Sequence, residues 1–216
     1  AVYGEKVSWE TKQIEPMKGG DGAGYDKRLP LPMHQSAAVV DVLKQGADRK
    51  NGSQVWRGVE VGRNVGMRVG EVVKLKVENI HLSPKEGDKH DRWGYGYVHI
   101  IPGPEGGAKG GKERYIGIHS LEARQNIIKA IEGLQPGQYV ITNSKTGGGV
   151  KVDTVNAAMV RAMGKLGIDA NYRGSKMHGC RKAWAQVVYD QVRHEGLTRT
   201  EAKAVVNELL GHSGNR

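Results

Sequence analysis

"HGCRKAW", residues 178–184, decides how the rest of the chain is read. It places a histidine, the only cysteine and an arginine within four residues, at the start of a segment with helical periodicity. Four readings are open here: a metal site, a nucleophilic thiol, a phosphate-binding pair, or a plain basic helix start. A zinc site needs about four ligands at recognisable spacing, and no CxxC or HExxH accompanies His178 and Cys180. Cys180 could be activated by its histidine and a helix N-terminus, yet a lone cysteine near a helix start is more often a small packing residue. His178 and Arg181, three apart, share one helical face. At a helix N-terminus the free N–H groups and the dipole favour an anion. Arginine adds a bidentate fork for phosphate oxygens, and histidine can hold or move a proton near neutral pH. Taken alone, HxxR does not separate that reading from a solvated basic turn.

The composition narrows the partner. Thirty-three Lys and Arg against 23 Asp and Glu give a formal charge of +10 over 216 residues. A basic surface of this size favours a polyanion, of which nucleic acid is the leading candidate. The basic residues are spread along the chain rather than gathered on one amphipathic helix, which suits a long phosphate backbone better than an acidic membrane. No apolar run approaches the roughly 18 residues of a membrane span, and the N-terminus lacks the apolar stretch of a signal peptide. With a single cysteine no internal disulfide forms, so a reducing compartment is expected.

Residues 1–33 include "KGGDGAGYDKRLPLP", rich in Gly and Pro without apolar period, and read as an arm or linker. The spacing then predicts helices over 35–48 and 53–64, the second capped by Ser53 with Val55, Val59 and Arg63 on one face. A short helix over 70–76 and a strand over 77–82 follow. "SPKEGDKHDR" is a polar loop. "WGYGYVHIIP" and "RYIGIH" are two further strands around the glycine-rich tip "GPEGGAKGGKER", with Tyr95, Tyr97 and His99 on one face. Helices are expected at 121–132, at 153–166 with Asp153 as cap and Gly167 as terminator, and at 179–195. A last helix opens on the capping box "TRTE" and runs to Leu210. The expected fold class is α+β, mainly helical, with a small three-stranded antiparallel sheet.

Three more stretches change the weight of HGCR. "GMRVGE" presents Arg68 after a glycine turn with Glu71 behind it. "KGGKER" presents Lys109 on a hairpin tip. "LLGH" presents His212 just past a helix end. Singly, each has an ordinary explanation: a surface charge, a solvated turn residue, a helix C-cap contact. Together and in this order they resemble the boxes of the tyrosine recombinases, or phage integrases: G-[LM]-R-x-x-E, K-x-G-K-x-R, H-x-x-R and L-L-G-H. The resemblance covers about residues 34–216, taken as the catalytic domain.

The resemblance implies DNA strand cleavage and rejoining through a 3′-phosphotyrosyl intermediate, without metal, ATP or other cofactor. It implies that Arg68 and Arg181 clamp the non-bridging phosphate oxygens and that Lys109 protonates the leaving 5′-oxygen. His178 is then a general base or hydrogen-bond partner, and His212 donates to a phosphate oxygen. Glu71 supports the fold around Arg68. Arg68, Lys109, Lys112, Arg114, Arg181 and Lys182 make up the expected DNA-binding set, and Lys112 competes with Lys109 for the acid role because hairpin tips shift register easily. The implied partners are double-stranded DNA and, in the full-length protein, further copies on paired DNA sites. No membrane is expected, and the implied location is cytoplasmic, at the bacterial nucleoid.

One departure stands out. The family's nucleophilic tyrosine lies about nine residues after the last histidine, beyond Arg216, and none of the eight tyrosines present occupies that place. The chain is therefore expected to be a fragment that is inactive alone. The alternative is a non-catalytic DNA-binding relative that retains the phosphate pocket. An RNA-binding domain is a weaker option, because the aromatic platform of the usual RNA modules is not evident.

Overall fold

The computed structural model describes residues 29–46, 54–83, 85–102, 112–143, 146–169, 172 and 175–212. Its helices are α1 (Met33–Gln45), α2 (Val55–Val65), α3 (Val69–Val72), α4 (Leu121–Ile131), α5 (Val152–Lys165), α6 (Lys176–His194) and α7 (Arg199–Leu209). The strands are β1 (Ile80–His81), β2 (Tyr97–Ile100) and β3 (Arg114–Gly117), antiparallel in the order β1-β2-β3. The expected fold class holds: mainly helical, with one small three-stranded sheet.

Helix α2 is the axis of the core. Its valines at 55, 59, 61 and 65 cover more than one face, so it is buried nearly all round and packs on α1, α4, α5 and α6. Two glycines allow that close approach. A Cβ at Gly58 would collide with Ile141, and one at Gly62 would lie 2.5 Å from Met177. Three polar residues of α2, Glu60, Arg63 and Asn64, are buried too and pair with one another. Arg63 meets Glu60 at 2.6 Å, and Asn64 donates to the same carboxylate at 2.9 Å.

The ends of the elements show where local chemistry and packing disagree. Helix α1 starts at Met33, earlier than the expected residue 35, and Leu31 ahead of it is fully buried. Leu31 donates its N–H to the Gly179 carbonyl at 3.1 Å, which ties this entry segment to α6. Ser53, expected to cap α2, lies outside the described residues, and the N-cap position is Gln54. Asp153 is not the cap of α5. Lys151 holds that position in extended conformation, and Asp153 sits in the first turn, where its charge complements the dipole. Val155, Met159, Ala162 and Met163 are buried as the stripe requires, while Leu166 is 39% exposed because the helix has ended at Lys165.

The stretch 77–82 is not one strand. Val77–Asn79 forms a 3₁₀ turn, and only Ile80–His81 pairs with β2. The backbone ahead of it is engaged elsewhere. Val77 donates to Gln138, Val140 donates to Leu75, and Lys76 bridges Tyr139. The extended piece "QYVIT" therefore takes the hydrogen bonds that a longer β1 would have used. Similarly, the short helix expected over 70–76 closes at Val72.

The register of β2 and β3 pairs His99 with Tyr115 and Ile100 with Arg114. Period-2 alternation then puts Tyr115 outward and Arg114 inward. Outside, His99 stacks on Tyr115 at 4.4 Å, His90 from the β1–β2 connection stacks on Tyr115 at 3.6 Å, and His81 stacks on Tyr97 at 4.6 Å. Inside, Val98, Ile100 and Ile116 join the helical core.

Helix α7 opens on the capping box expected from "TRTE". Thr198 Oγ1 accepts from the Glu201 N–H, and Glu201 accepts from the Thr198 N–H at 2.7 Å. Thr198→Ala is expected to destabilise the protein by about 1 kcal/mol. A thermal melt should then drop by about 2–4 °C, and an unshifted melt would refute the cap's contribution.

Candidate phosphate-binding site

The site begins with the turn that ends α2. Gly66 adopts φ +63, a left-handed conformation that reverses the chain, and Met67 donates back to Gly62 at 3.0 Å. The ring of Trp184 lies directly against Gly66 and occupies the space a Cβ would need. The turn delivers Arg68 to the N-terminus of α3. Glu71, fully buried, accepts the Arg68 backbone N–H at 2.7 Å with one oxygen and the Arg68 Nη1 at 3.0 Å with the other. The carboxylate so placed fixes both the main chain and the guanidinium of Arg68.

Arg181 reaches the same place from α6. Its side chain is buried, 4% exposed, and its two terminal nitrogens donate to the carbonyls of Gly66 and Leu210. Arg68 Nη2 also donates to Leu210, at 3.2 Å. Two arginines far apart in sequence thus converge on one carbonyl oxygen at the end of α7. The helix starts at Lys176, so His178 lies in its first turn and Arg181 lies beyond it. The Arg181 fork is held by main-chain carbonyls of two other elements rather than at the free N–H groups of its own helix.

The end of α7 is shaped for its task by Gly211. Gly211 at φ +65 donates to Glu208 at 2.8 Å, and His212 donates to Asn207 at 2.8 Å. These two bonds make a Schellman stop, which turns the chain sharply and sets His212 beside the arginines. Arg114 completes the cluster from β3. It donates Nη2 to Glu71 at 2.7 Å and Nε to Leu209 at 3.2 Å.

Three guanidinium groups, those of Arg68, Arg114 and Arg181, therefore surround a single carboxylate, that of Glu71. Burial and then Arg68 push Arg181 down to about 9, with Glu71 opposing, so it stays cationic at neutral pH. Burial first, then the three arginines, lowers His212 below its ordinary value and so favours its neutral imidazole. A neutral imidazole beside a partly buried positive cluster can donate one hydrogen bond to an anion without adding charge. Such a cluster stabilises a group that carries dispersed negative charge on several oxygens, as a phosphodiester does.

Five of the residues singled out from the sequence thus take definite places. Arg68, Arg181 and His212 come together. Glu71 stands behind Arg68. Arg114 is drawn inward, 7% exposed, and braces the cluster at the floor of a groove that it lines with Lys112 and His212. Lys109 lies outside the described residues, so the hairpin-tip assignment is untouched by the geometry. Lys112 is exposed and lines an open groove with Lys89, His90, Arg114 and His212. His178 and Lys182 are both partly buried in α6. Cys180 is fully buried, and burial pushes its thiol up to about 12, so it packs and does not act as a nucleophile. Among the described residues no group of three or more His, Cys, Asp or Glu side chains could hold a metal ion. Among them, too, no helix is long and apolar enough to cross a membrane.

The inward turn of Arg114 was open to inference from the sequence. In "RYIGIH" Arg114 alternates in step with Ile116 and Ile118, so it shares the face those isoleucines bury. The Leu210 carbonyl, by contrast, has no sequence signal, because any residue supplies one.

The sequence matches no family model and no curated protein. Solved structures do match. The chain is similar to the lambda integrase catalytic core, with TM-score 0.56 and 17% identity over 88% of this chain and 94% of that one. It is similar to XerA recombinase at TM-score 0.54 and 16% identity, covering 86% of this chain and 57% of that one. It is also similar to a lambda integrase tetramer bound to a Holliday junction, at TM-score 0.58 and 15% identity, covering 87% and 47%. The chain thus spans about half the length of these longer recombinases. Its fold is the tyrosine recombinase catalytic-domain fold. More narrowly, it corresponds in extent to the catalytic core of lambda integrase.

Proposed function

We propose that the chain is the catalytic domain of a site-specific tyrosine recombinase that cuts and rejoins duplex DNA. The observation that carries the reading is the convergence of Arg68 and Arg181 on the Leu210 carbonyl, beside His212 and braced by Glu71. In the reaction a tyrosine hydroxyl attacks the scissile phosphorus. The bond to the 5′-oxygen breaks, a 3′-phosphotyrosyl bond forms, and the leaving 5′-oxygen takes a proton from Lys109. Attack by another strand's 5′-hydroxyl reverses these steps. Negative charge builds on the non-bridging oxygens at each pentavalent stage. Arg68 and Arg181, already fixed, meet it without reorganising. His212 donates to one of those oxygens, and His178 takes or shares the nucleophile's proton. Lys112 and Lys182 grip the adjoining backbone. The full-length protein self-associates on paired DNA sites. The rival reading, a non-catalytic relative that keeps the pocket for grip, shares the arginines but forms no covalent bond.

A nicked suicide duplex separates the two. The 216-residue chain is expected to bind duplex DNA with an affinity that falls steeply as salt rises, and to form no covalent complex. Extending the chain past Arg216 so that a tyrosine lies at the family's distance from His212 is expected to allow trapping. Arg181→Ala and Arg181→Lys should then lower the trapping rate by about 100-fold or more while duplex binding stays near wild type. Normal trapping by both variants would remove Arg181 from the proposed machinery, and salt-independent binding would remove the phosphate grip.

A further inference from the structure

We propose that Arg114 is a positioning residue: one guanidinium locks the carboxylate behind Arg68 to the carbonyl end of α7 and thereby fixes His212 relative to the Arg68–Arg181 pair. The chemistry this serves rests on the function proposed above, whereas the bracing itself rests on geometry alone.

Arg114 touches three segments at once. It belongs to β3, where the Ile100 pairing aims it inward. Its Nη2 donates to Glu71 in α3 at 2.7 Å, and its Nε donates to Leu209 at 3.2 Å. The chain then crosses it in contact: a Cβ at Gly211 would lie 3.0 Å from Arg114 Cδ and 3.3 Å from its Nη1. Gly211 is thus held between its own left-handed turn and the guanidinium of Arg114, and His212 is the next residue. Arg68 takes the Leu210 carbonyl and Arg114 the Leu209 carbonyl, so two successive orphan acceptors of α7 are read by two arginines that share Glu71.

Only arginine can make this brace. Its Nε and one terminal nitrogen donate in fixed, planar directions, and that geometry joins a carboxylate to a carbonyl. A lysine would supply one point charge. It could keep the Glu71 pair but would release Leu209. β3 also begins at Arg114, shortly after Lys109 in the chain.

The test uses the full 216-residue chain, isotopically labelled, with Arg114→Lys as the first variant. Amide hydrogen exchange is followed at Gly211 and His212, with the amides of α6 as the internal reference. The His212 imidazole resonance is followed on adding a duplex of about 30 base pairs, enough to span more than one helical turn. Arg114→Lys is expected to speed exchange at Gly211 and His212 at least tenfold while α6 is unchanged, and to halve the DNA-induced shift at His212. Unchanged exchange together with an unchanged shift would overturn the proposal. Should Arg114→Lys not fold, the pair Glu71→Gln with Arg114→Gln removes both charges together and also releases Leu209. The same acceleration is expected there, and its absence is equally decisive against the brace. If the wild-type His212 resonance ignores DNA, the functional reading falls, and the exchange data alone decide the role of Arg114.

Discussion

Gly66→Ala is expected to destabilise the protein by about 2–5 kcal/mol, among the largest effects of any single methyl group in the chain. Two costs combine. A residue with a Cβ at φ +63 loses about 1–2 kcal/mol in the left-handed region. The new methyl would also run into the Trp184 ring, which is fully buried and cannot swing away, and overpacking of this kind costs about 1–3 kcal/mol. Gly167 supplies the control. It has nearly the same backbone, φ +66, but open space around its missing Cβ. Chemical denaturation of the two alanine variants should therefore differ by about 1 kcal/mol or more, and that difference is the part owed to the tryptophan. Equal losses would show that the ring gives way. The substitution also displaces the Gly66 carbonyl that holds Arg181, so phosphate grip should weaken along with stability.

Glu71→Ala is expected to cost about 3–5 kcal/mol, the range for removing one partner of a buried charge pair. The carboxylate is fully buried and answers two guanidinium groups and a backbone N–H. Without it, three arginines are left facing one another with no internal anion. Glu71→Gln, which keeps the volume and one acceptor oxygen, should lose less. A further signature distinguishes charge from packing. Phosphate buffer should raise the melting temperature of Glu71→Ala more than that of the parent, because an anion can enter the place the carboxylate left. The same increment in both proteins would mean that the arginines do not form one electrostatic unit.

The sequence located elements best where the signal was local. The capping box at Thr198 and the glycine stop at Gly167 both appear where their residue types require. Of the four short boxes, those of Arg68, Arg181 and His212 come together with Glu71 behind Arg68, while Lys109 lies outside the described residues. The sequence failed where long-range pairing decides. The expected strand over 77–82 lost most of its length because residues 138–140 claimed the hydrogen bonds just ahead of it. Asp153 looked like a cap by type, yet the helix starts at Val152 and Lys151 holds the cap position. Arg114 entered the expected DNA-binding set by its charge, and its place behind the cluster follows from its parity with Ile116 on β3. The acceptor at the centre, a leucine carbonyl, is backbone and invisible to any reading of side chains.

That acceptor also sets an order of events. The bond from Arg68 to Leu210 spans 142 residues, and the one from Arg114 to Leu209 spans 95. Contacts of such separation form late, after the local helices and the hairpin are in place. During synthesis the N-terminal part of the core, with α2 and the Gly66 turn, emerges long before α7. A nascent chain therefore carries Arg68 without the carbonyl that aims it, and the cluster is assembled only once α7 has emerged and docked. The geometry of the proposed phosphate pocket is therefore a property of the docked α7, and a polypeptide that lacks α7 has the charge of Arg68 without its defined direction.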